Sequence, residues 1–302
     1  MSAPQPQLPL PGVFLRGMLM GAADVVPGVS GGTMAFITGI YDRLVGAIAA
    51  FDLQLLRLLR RGDWRGAWAH VDASFLLTLL AGILASVVSL AHAITRLLEQ
   101  QPLLLWSFFS GLICASALLL VRRVSRWHGA ARVGLVAGAA LALAIGLSPA
   151  LSLPALPLSF FLAGSLAICA MILPGISGSF ILVLLGLYPA VLGAVRDLQW
   201  LTLLLFAGGA GCGLLLFSRL LHHLLARHHA ATLATLTGFL VGSLPLLWPW
   251  KAPPAGDAMR LLLPWDYAAR VGDPQWPACL LLALCGIAVV WLIERRWGGP
   301  ER

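Results

Sequence analysis

Long apolar stretches follow one another along almost the whole chain, with short basic or proline-containing segments between them. A helix needs about 20 mainly apolar residues to cross the hydrocarbon core of a bilayer. Six stretches come close to this length, and we expect spanning helices at residues 73–97, 103–121, 132–151, 200–221, 231–248 and 277–293. The pattern predicts an all-α polytopic membrane protein with a single integral membrane domain.

Two further apolar stretches are interrupted by proline, glycine and serine where a continuous helix would otherwise be expected. The first interruption reads ADVVPGVSGG and the second reads MILPGISGS. Non-helical backbone is tolerated at membrane depth only where it is buried in protein or lines a wet cavity, because lipid satisfies no N–H or C=O group. Proline removes a donor and glycine permits tight turns. We therefore expect the chain to reverse its direction inside the membrane at both places.

The two interrupted segments are copies of each other. PGVSGGTMAFITGIYDRLVGA (residues 27–47) aligns without a gap on PGISGSFILVLLGLYPAVLGA (residues 174–194). The identical pairs are Pro27/Pro174, Gly28/Gly175, Ser30/Ser177, Gly31/Gly178, Gly39/Gly186, Tyr41/Tyr188, Gly46/Gly193 and Ala47/Ala194. A weaker match joins FFSGLICAS (residues 108–116) to TLTGFLVGS (residues 235–243). We predict two repeats, at residues 12–150 and 151–295, after a disordered N-terminus at residues 1–11.

The topology depends on whether each broken segment is a re-entrant hairpin or a broken helix that spans. Hairpins at residues 12–50 and 156–195 would leave three crossings per repeat and invert the second copy. Spanning helices would give four crossings and parallel copies. The hairpin topology places thirteen basic residues on one side of the membrane and five on the other, whereas the alternative places twelve and six. The positive-inside rule therefore favours inverted repeats. A half-helix from Thr33 to Arg43 would be about 15 Å long, half of a hydrocarbon core.

Each reversal precedes a half-helix whose first N–H groups have no partner within the helix. Ser30 and Ser177 are placed to cap these half-helices, and we expect the following N–H groups, through Thr33 and Phe180, to point into a cavity. A helix N-terminus readily binds phosphate or carboxylate. The predicted substrate-binding residues here are Pro27, Gly28, Ser30, Gly31, Gly32, Thr33, Pro174, Gly175, Ser177, Gly178 and Ser179. Glycines such as Gly17/Gly21 and Gly134/Gly138 are better explained by close helix packing.

Three charged residues near the first break extend the candidate site. Asp24 lies about one helical turn before the break, where the second copy has Met171. A carboxylate at depth costs roughly 2.5–3.5 kcal/mol on insertion scales, so Asp24 either carries a proton coupled to transport or caps the backbone of the facing hairpin. Arg16 and Arg43 are expected at the hairpin mouth. They either attract a lipid phosphate or are ordinary interfacial positive-inside residues.

Composition narrows the function classes. Of the 302 residues, 60% are hydrophobic and 11% are charged, whereas a soluble domain carries about 25% charged residues. The net charge of +8 comes from basic residues between the apolar runs, which membrane orientation explains better than nucleic-acid binding does. The five cysteines lie in apolar segments without metal-ligand spacing. We therefore expect no metal, no cofactor and no nucleic-acid partner.

GAADVVPGVSGGTMAFITGIYDRL, FFSGLICAS and MILPGISGSFILVLLGLYPAVL resemble the paired motifs of the polyprenyl-phosphate transporter family of the PopT type, formerly a domain of unknown function. The resemblance covers nearly the whole chain. It implies a multi-pass protein of the bacterial cytoplasmic membrane that returns undecaprenyl phosphate, the lipid carrier of peptidoglycan and cell-wall biogenesis, to the inner leaflet. The residues alone indicate only an anionic group that is reached from both sides. They leave open whether the chain forms a homo-oligomer.

Two other functions compete with a lipid flippase. Undecaprenyl-pyrophosphate phosphatase also uses inverted re-entrant repeats, but its Pro-Gly-x-Ser-Arg-Ser-Gly motif has an arginine and its site has glutamates that PGVSGGT and PGISGSF lack. Ser30 also has no histidine base in its own segment. A small-anion channel would need a polar pore, whereas the remaining helices are nearly free of ionisable side chains. We therefore predict a transporter and not an enzyme.

Overall fold

The computed structural model describes residues 9–26, 29–149, 151, 153–252 and 260–297. Within these residues the chain is almost entirely helical. In chain order the elements are α1 (Leu10–Asp24), α2 (Gly31–Ile37), α3 (Tyr41–Ala49), α4 (Leu53–Arg60), α5 (Trp64–His70), α6 (Ala73–Gln100), α7 (Pro102–Arg123), α8 (Gly129–Leu147), α9 (Pro157–Ile172), α10 (Gly178–Leu184), α11 (Tyr188–Arg196), α12 (Trp200–Arg227), α13 (His229–Leu247), β1 (Lys251–Ala252), β2 (Arg260–Leu261), α14 (Pro264–Arg270) and α15 (Trp276–Trp297).

Six of the described helices are long and apolar enough to cross a membrane, namely α6, α7, α8, α12, α13 and α15. They are the six helices that the hydrophobic pattern predicts, and an all-α polytopic membrane protein is confirmed. α8 ends at Leu147, four residues before the predicted end, because Ser148 is extended and precedes a proline that disfavours helix. α12 continues to Arg227, six residues past its predicted end. The helix therefore extends beyond the apolar run from which its end was predicted.

Each broken segment contains three short helices and two breaks, one more break than the sequence predicts. α2 does not continue from Thr33 to Arg43 as expected. It stops at Ile37, the chain turns through Gly39 at φ +72°, and α3 begins at Tyr41. The second copy turns in the same way through Gly186 at φ +71°, and α10 and α11 meet at 110°. Glycine adopts this left-handed conformation without the penalty that a Cβ imposes, which explains why both copies have glycine there.

The long helices pack in pairs that occur twice. α1 lies along α6, and α9 lies along α12. The middle spanning helix of each half packs on the last spanning helix of the other half, so α7 contacts α15 and α13 contacts α8. α7 and α13 also contact each other. The two halves of the chain therefore make matching contacts.

Glycines allow these pairs to approach closely. A Cβ on Gly17 would overlap the backbone of α6, and one on Gly138 would overlap the backbone of α13, so the prediction that these glycines serve helix packing is confirmed. Gly111 and Gly238 hold matching positions in FFSGLICAS and TLTGFLVGS. Each faces the backbone of the last spanning helix of the other half, α15 for Gly111 and α8 for Gly238. The weaker sequence match is therefore also a structural match.

The described residues between α13 and α15 pack against α7 and α15. β1 and β2 form a two-stranded antiparallel ladder, and α14 follows them. Trp250 is buried against Leu262 and Cys279, with Leu103 of α7 beside them. The indole N–H of Trp250 donates to the carbonyl of Pro274 at 2.8 Å. This segment has no counterpart in the first half of the chain, and its aromatic anchors attach it to α7 and α15.

Candidate functional site

The two broken segments contact each other inside the protein. The hydroxyl of Ser30 donates to the carbonyl of Met171 at 2.8 Å, and the hydroxyl of Tyr41 donates to the carbonyl of Ile172 at 3.1 Å. In return, the N–H of Gly175 donates to Oγ1 of Thr33 at 3.1 Å. The structure thus brings together residues that lie 131 to 142 positions apart in the sequence. Side chains of the first copy satisfy backbone groups that the second copy leaves open.

The first half-helix is closed by its own segment. The N–H of Gly31 donates to Oδ1 of Asp24 at 2.7 Å. The N–H of Gly32 donates to Oγ of Ser30 at 3.1 Å, and the N–H of Thr33 donates to the carbonyl of Ser30 at 2.9 Å. The prediction that Ser30 caps α2 is confirmed. The expectation that these three N–H groups are free is wrong, because a carboxylate and the cap residue already accept from them.

Asp24 caps its own hairpin and not the facing one. It lies beside Gly31, where a Cβ would come within 2.5 Å of its Oδ2. The bonded N–H compensates part of the cost of placing a carboxylate at depth. Whether Asp24 also carries a transported proton stays a prediction.

The second half-helix is not closed in this way. Ser177 lies at the N-cap position of α10, as predicted, but its hydroxyl pairs with that of Ser179 at 2.8 Å and makes no cap hydrogen bond to α10. Within the described residues, the N–H groups of Gly178, Ser179 and Phe180 have no acceptor. Met171 lies against Gly178, with its Cγ 2.7 Å from where a Cβ would be. A thioether thus occupies the position that the carboxylate has in the first copy.

The turn before α10 requires glycine. Gly175 has φ +85°, and a Cβ there would lie 3.0 Å from the carbonyl oxygen of Phe239 in α13. Pro174 beside it is buried. Pro27 and Gly28, the matching residues of the first copy, lie outside the described residues.

The two arginines expected at the hairpin mouth have other partners. Arg16 is 3% exposed, and its Nε donates to the carbonyl of Thr38 at 3.1 Å, so it caps the C-terminus of α2 inside the protein. Its expected place at the mouth is wrong because the turn at Gly39 brings that carbonyl back to α1. Arg43 forms an ion pair of 2.6 Å with Asp72 and stacks on Phe75. Both arginines hold the first hairpin in place.

A cavity of about 180 Å³ opens beside the second break. Gly175, Ser177 and Phe180 form one wall, and Trp106 of α7 and Lys251 of β1 face them. The remaining lining is apolar and comes from α8, α13 and the turn, namely Ala142, Ile145, Gly146, Ile176 and Leu246. The cavity thus combines one hydroxyl and one cation with an apolar surround.

Lys251 is not among the residues that the sequence predicts for the site. Its ammonium donates to the carbonyl of Leu246 and lies 4.6 Å from the ring centroid of Trp106. Burial disfavours the charged form and lowers the pKa of Lys251 to about 8. The only signal in the sequence is that Lys251 is the single lysine in a chain whose other basic residues are all arginine or histidine.

Comparison with known proteins identifies relatives of the whole chain. A family model described as VCA0040-like, undecaprenyl phosphate translocase-like, matches residues 20–257. The chain is 42% identical over 293 residues to a polyprenyl-phosphate transporter of Vibrio cholerae serotype O1, which covers 93% of this chain and 95% of that protein. It is 32% identical over 255 residues to a polyprenyl-phosphate transporter of Staphylococcus aureus, and the aligned part makes up 78% of this chain and 85% of that protein. No solved structure matches the chain.

The family model covers the second broken segment and five of the six long apolar helices in full, and it covers the first broken segment from residue 20 onward. The same two segments carry the resemblance that the sequence motifs indicate. The chain is a multi-pass membrane protein and belongs to the undecaprenyl phosphate translocase-like family.

Proposed function

We propose that this protein moves undecaprenyl phosphate between the leaflets of the bacterial cytoplasmic membrane and so returns the cell-envelope lipid carrier for reuse. Membership of the family and two relatives that are named polyprenyl-phosphate transporters support the substrate. The observation that carries the mechanism is the direct contact between two Pro-Gly breaks beside a cavity. Broken backbone that is buried in protein is the usual place for a substrate in transporters built from repeats.

The proposal includes two inverted repeats, at residues 12–150 and 151–295, each with a re-entrant hairpin and three spanning helices. α2 and α10 have seven residues each, or about 10 Å of helix, so neither crosses a bilayer alone. The matching helix pairs in the two halves support the repeat. The 110° bend between α10 and α11 suits a chain that turns back toward the side from which it entered.

The headgroup would bind at the two breaks, with the phosphate near Ser177, Gly178 and Ser179 of the second copy and near Ser30 and Gly31 of the first. The second copy supports this more directly, since its N–H groups have no acceptor within the described residues. In the first copy the phosphate would compete with the Asp24 carboxylate for the N–H of Gly31. The apolar cavity walls suit the isoprenoid chain.

Purified protein in liposomes with labelled polyprenyl phosphate tests this function. An impermeant phosphatase added outside would count the headgroups in the outer leaflet, and the wild type is expected to expose the inner-leaflet pool to it. Ser177→Ala should slow this exchange by about tenfold, the effect of losing one hydrogen bond to a charged group. Ser89→Ala is the matched control, because Ser89 is exposed on α6 and bonds only to its own helix.

The same liposomes separate transport from the rival enzyme. Polyprenyl pyrophosphate added to the protein should release no phosphate. Stoichiometric phosphate release without leaflet exchange would show a phosphatase instead and contradict the proposed function.

A further inference from the structure

We propose that Lys251 and Ser177 form a subsite for the phosphate monoester headgroup in the cavity between the second break and the segment after α13. This inference rests on the proposed function and deepens it, because it assigns a role to a segment without a counterpart in the first half of the chain. The subsite lies at the end of the molecule where α13 ends and α15 begins.

The cavity has room for a solvated headgroup. Its volume of about 180 Å³ is far above the ~10–15 Å³ that a cavity needs to hold one water molecule. Lys251 and Ser177 lie on different elements, β1 and the residue before α10, and both border this space. A ligand that fills the cavity would therefore border both residues.

The charge of Lys251 calls for an anion. No carboxylate lies within 4 Å of its ammonium among the residues that the structure describes. An ammonium has three donors, of which one is directed to the carbonyl of Leu246. The Trp106 ring stabilises the cation from one side but accepts no full hydrogen bond. A phosphate would satisfy the remaining donors and relieve the desolvation that lowers the pKa of Lys251.

The rest of the cavity selects the kind of phosphate. Apart from Ser177 and Lys251 its lining is aliphatic, aromatic or glycine, and Phe180 and Trp106 are its two aromatic residues. With a free phosphate ion, the apolar walls would face the charged ion and its water. The first isoprene units of a polyprenyl phosphate would instead cover these walls. The occupant that fits both the polar and the apolar residues of the lining is a lipid phosphate monoester.

The segment after α13 is held so that Lys251 reaches the cavity. β1 pairs with β2, Trp248 donates its indole N–H to the carbonyl of Leu262 at 2.7 Å, and Trp250 donates to Pro274. Both tryptophans shortly precede Lys251 in the sequence, and their rings pack edge to face with centroids 5.3 Å apart. Lys251 is thereby fixed at the edge of the spanning helices.

The test is binding of a short-chain polyprenyl phosphate to the full protein in nanodiscs, measured by native mass spectrometry. Lys251→Gln and Lys251→Met are expected to weaken binding by at least about tenfold, and Lys251→Arg should restore most of it. Arg260→Gln is the matched control, since it removes a basic residue from the paired strand outside the cavity lining. Lys251→Met keeps an apolar side chain against Trp106 and so preserves the packing there. Thermal unfolding of each variant identifies any that binds weakly because it is destabilised.

Two more ligands distinguish binding of a lipid phosphate from binding of free phosphate. Polyprenol without phosphate should bind equally to the wild type and to Lys251→Met, and inorganic phosphate should bind much more weakly than the lipid. Inorganic phosphate that binds as tightly as the lipid would overturn the lipid assignment. If the wild type exchanges and binds the lipid and the folded Lys251→Met and Lys251→Gln variants bind it equally well, the subsite is refuted while the proposed function stands. If the wild type exchanges no lipid, the proposed function itself fails.

Discussion

Asp24 and Met171 occupy matching positions and give the two breaks opposite chemistry. The carboxylate of Asp24 accepts from the N–H of Gly31 and closes the first half-helix. Met171 offers no comparable acceptor beside Gly178. This one difference therefore gives the N–H of Gly31 a carboxylate acceptor and leaves the N–H of Gly178 without an acceptor among the described residues. The sequence shows the difference between the copies, but the partner of Asp24 depends on how the chain turns back, which hydropathy does not report.

Replacing Asp24 separates its role as a cap from its charge. Asp24→Ala leaves the N–H of Gly31 without an acceptor in a buried position, so we expect the free energy of unfolding to fall by about 1–3 kcal/mol. Asp24→Asn keeps an oxygen at the same place and should lose less. Thermal unfolding of both variants in the same detergent measures the difference. An alanine variant as stable as the wild type would show that the bond contributes nothing.

At the scale of elements, hydropathy and the repeat predict most of the fold. The six spanning helices follow from apolar length alone, and the contact between the breaks agrees with two copies of one motif. The second turn at Gly39 and Gly186 is missed because glycine in an apolar run also serves helix packing, and only the backbone angle distinguishes the two uses. The burial of Arg16 is missed for the same reason, because the turn at Gly39 brings the Thr38 carbonyl, which accepts from Arg16, back to α1.

Close contact between the two broken segments depends on the absence of a side chain at Gly32. A Cβ there would lie 2.5 Å from the carbonyl oxygen of Ile172, which accepts from Tyr41. Gly32→Ala should therefore push the breaks apart, lower the free energy of unfolding by about 1–3 kcal/mol and reduce lipid exchange. Gly193→Ala is the control, because a Cβ at Gly193 meets no atom within 4 Å. Equal stability and exchange in the two variants would remove the requirement for close contact.

At the scale of the whole molecule, the two halves are alike in their helix pairs and unlike in their additions. The first half inserts α4 and α5, whose arginines and exposed Leu53 and Trp64 form an amphipathic surface. The second half inserts the segment that carries Lys251. The sequence marks both insertions as regions without a match, but it does not bring Lys251 and Ser177 to one cavity, because 74 positions separate them and the cavity forms only where residues of α7, α8, α10 and α13 meet.

The two insertions also test the topology. Five long apolar helices lie between Arg61 and Arg270, namely α6, α7, α8, α12 and α13. If the second broken segment is re-entrant, the two residues lie on opposite sides of the membrane, whereas a broken segment that spans would put them on the same side. In a variant without the five native cysteines, we expect an impermeant maleimide to label Arg270→Cys on intact cells and to label Arg61→Cys only after permeabilisation, since the arginine distribution places Arg61 inside. Both positions are exposed, so labelling of both on intact cells, or of neither, would contradict the re-entrant hairpin and the inversion of the repeats with it.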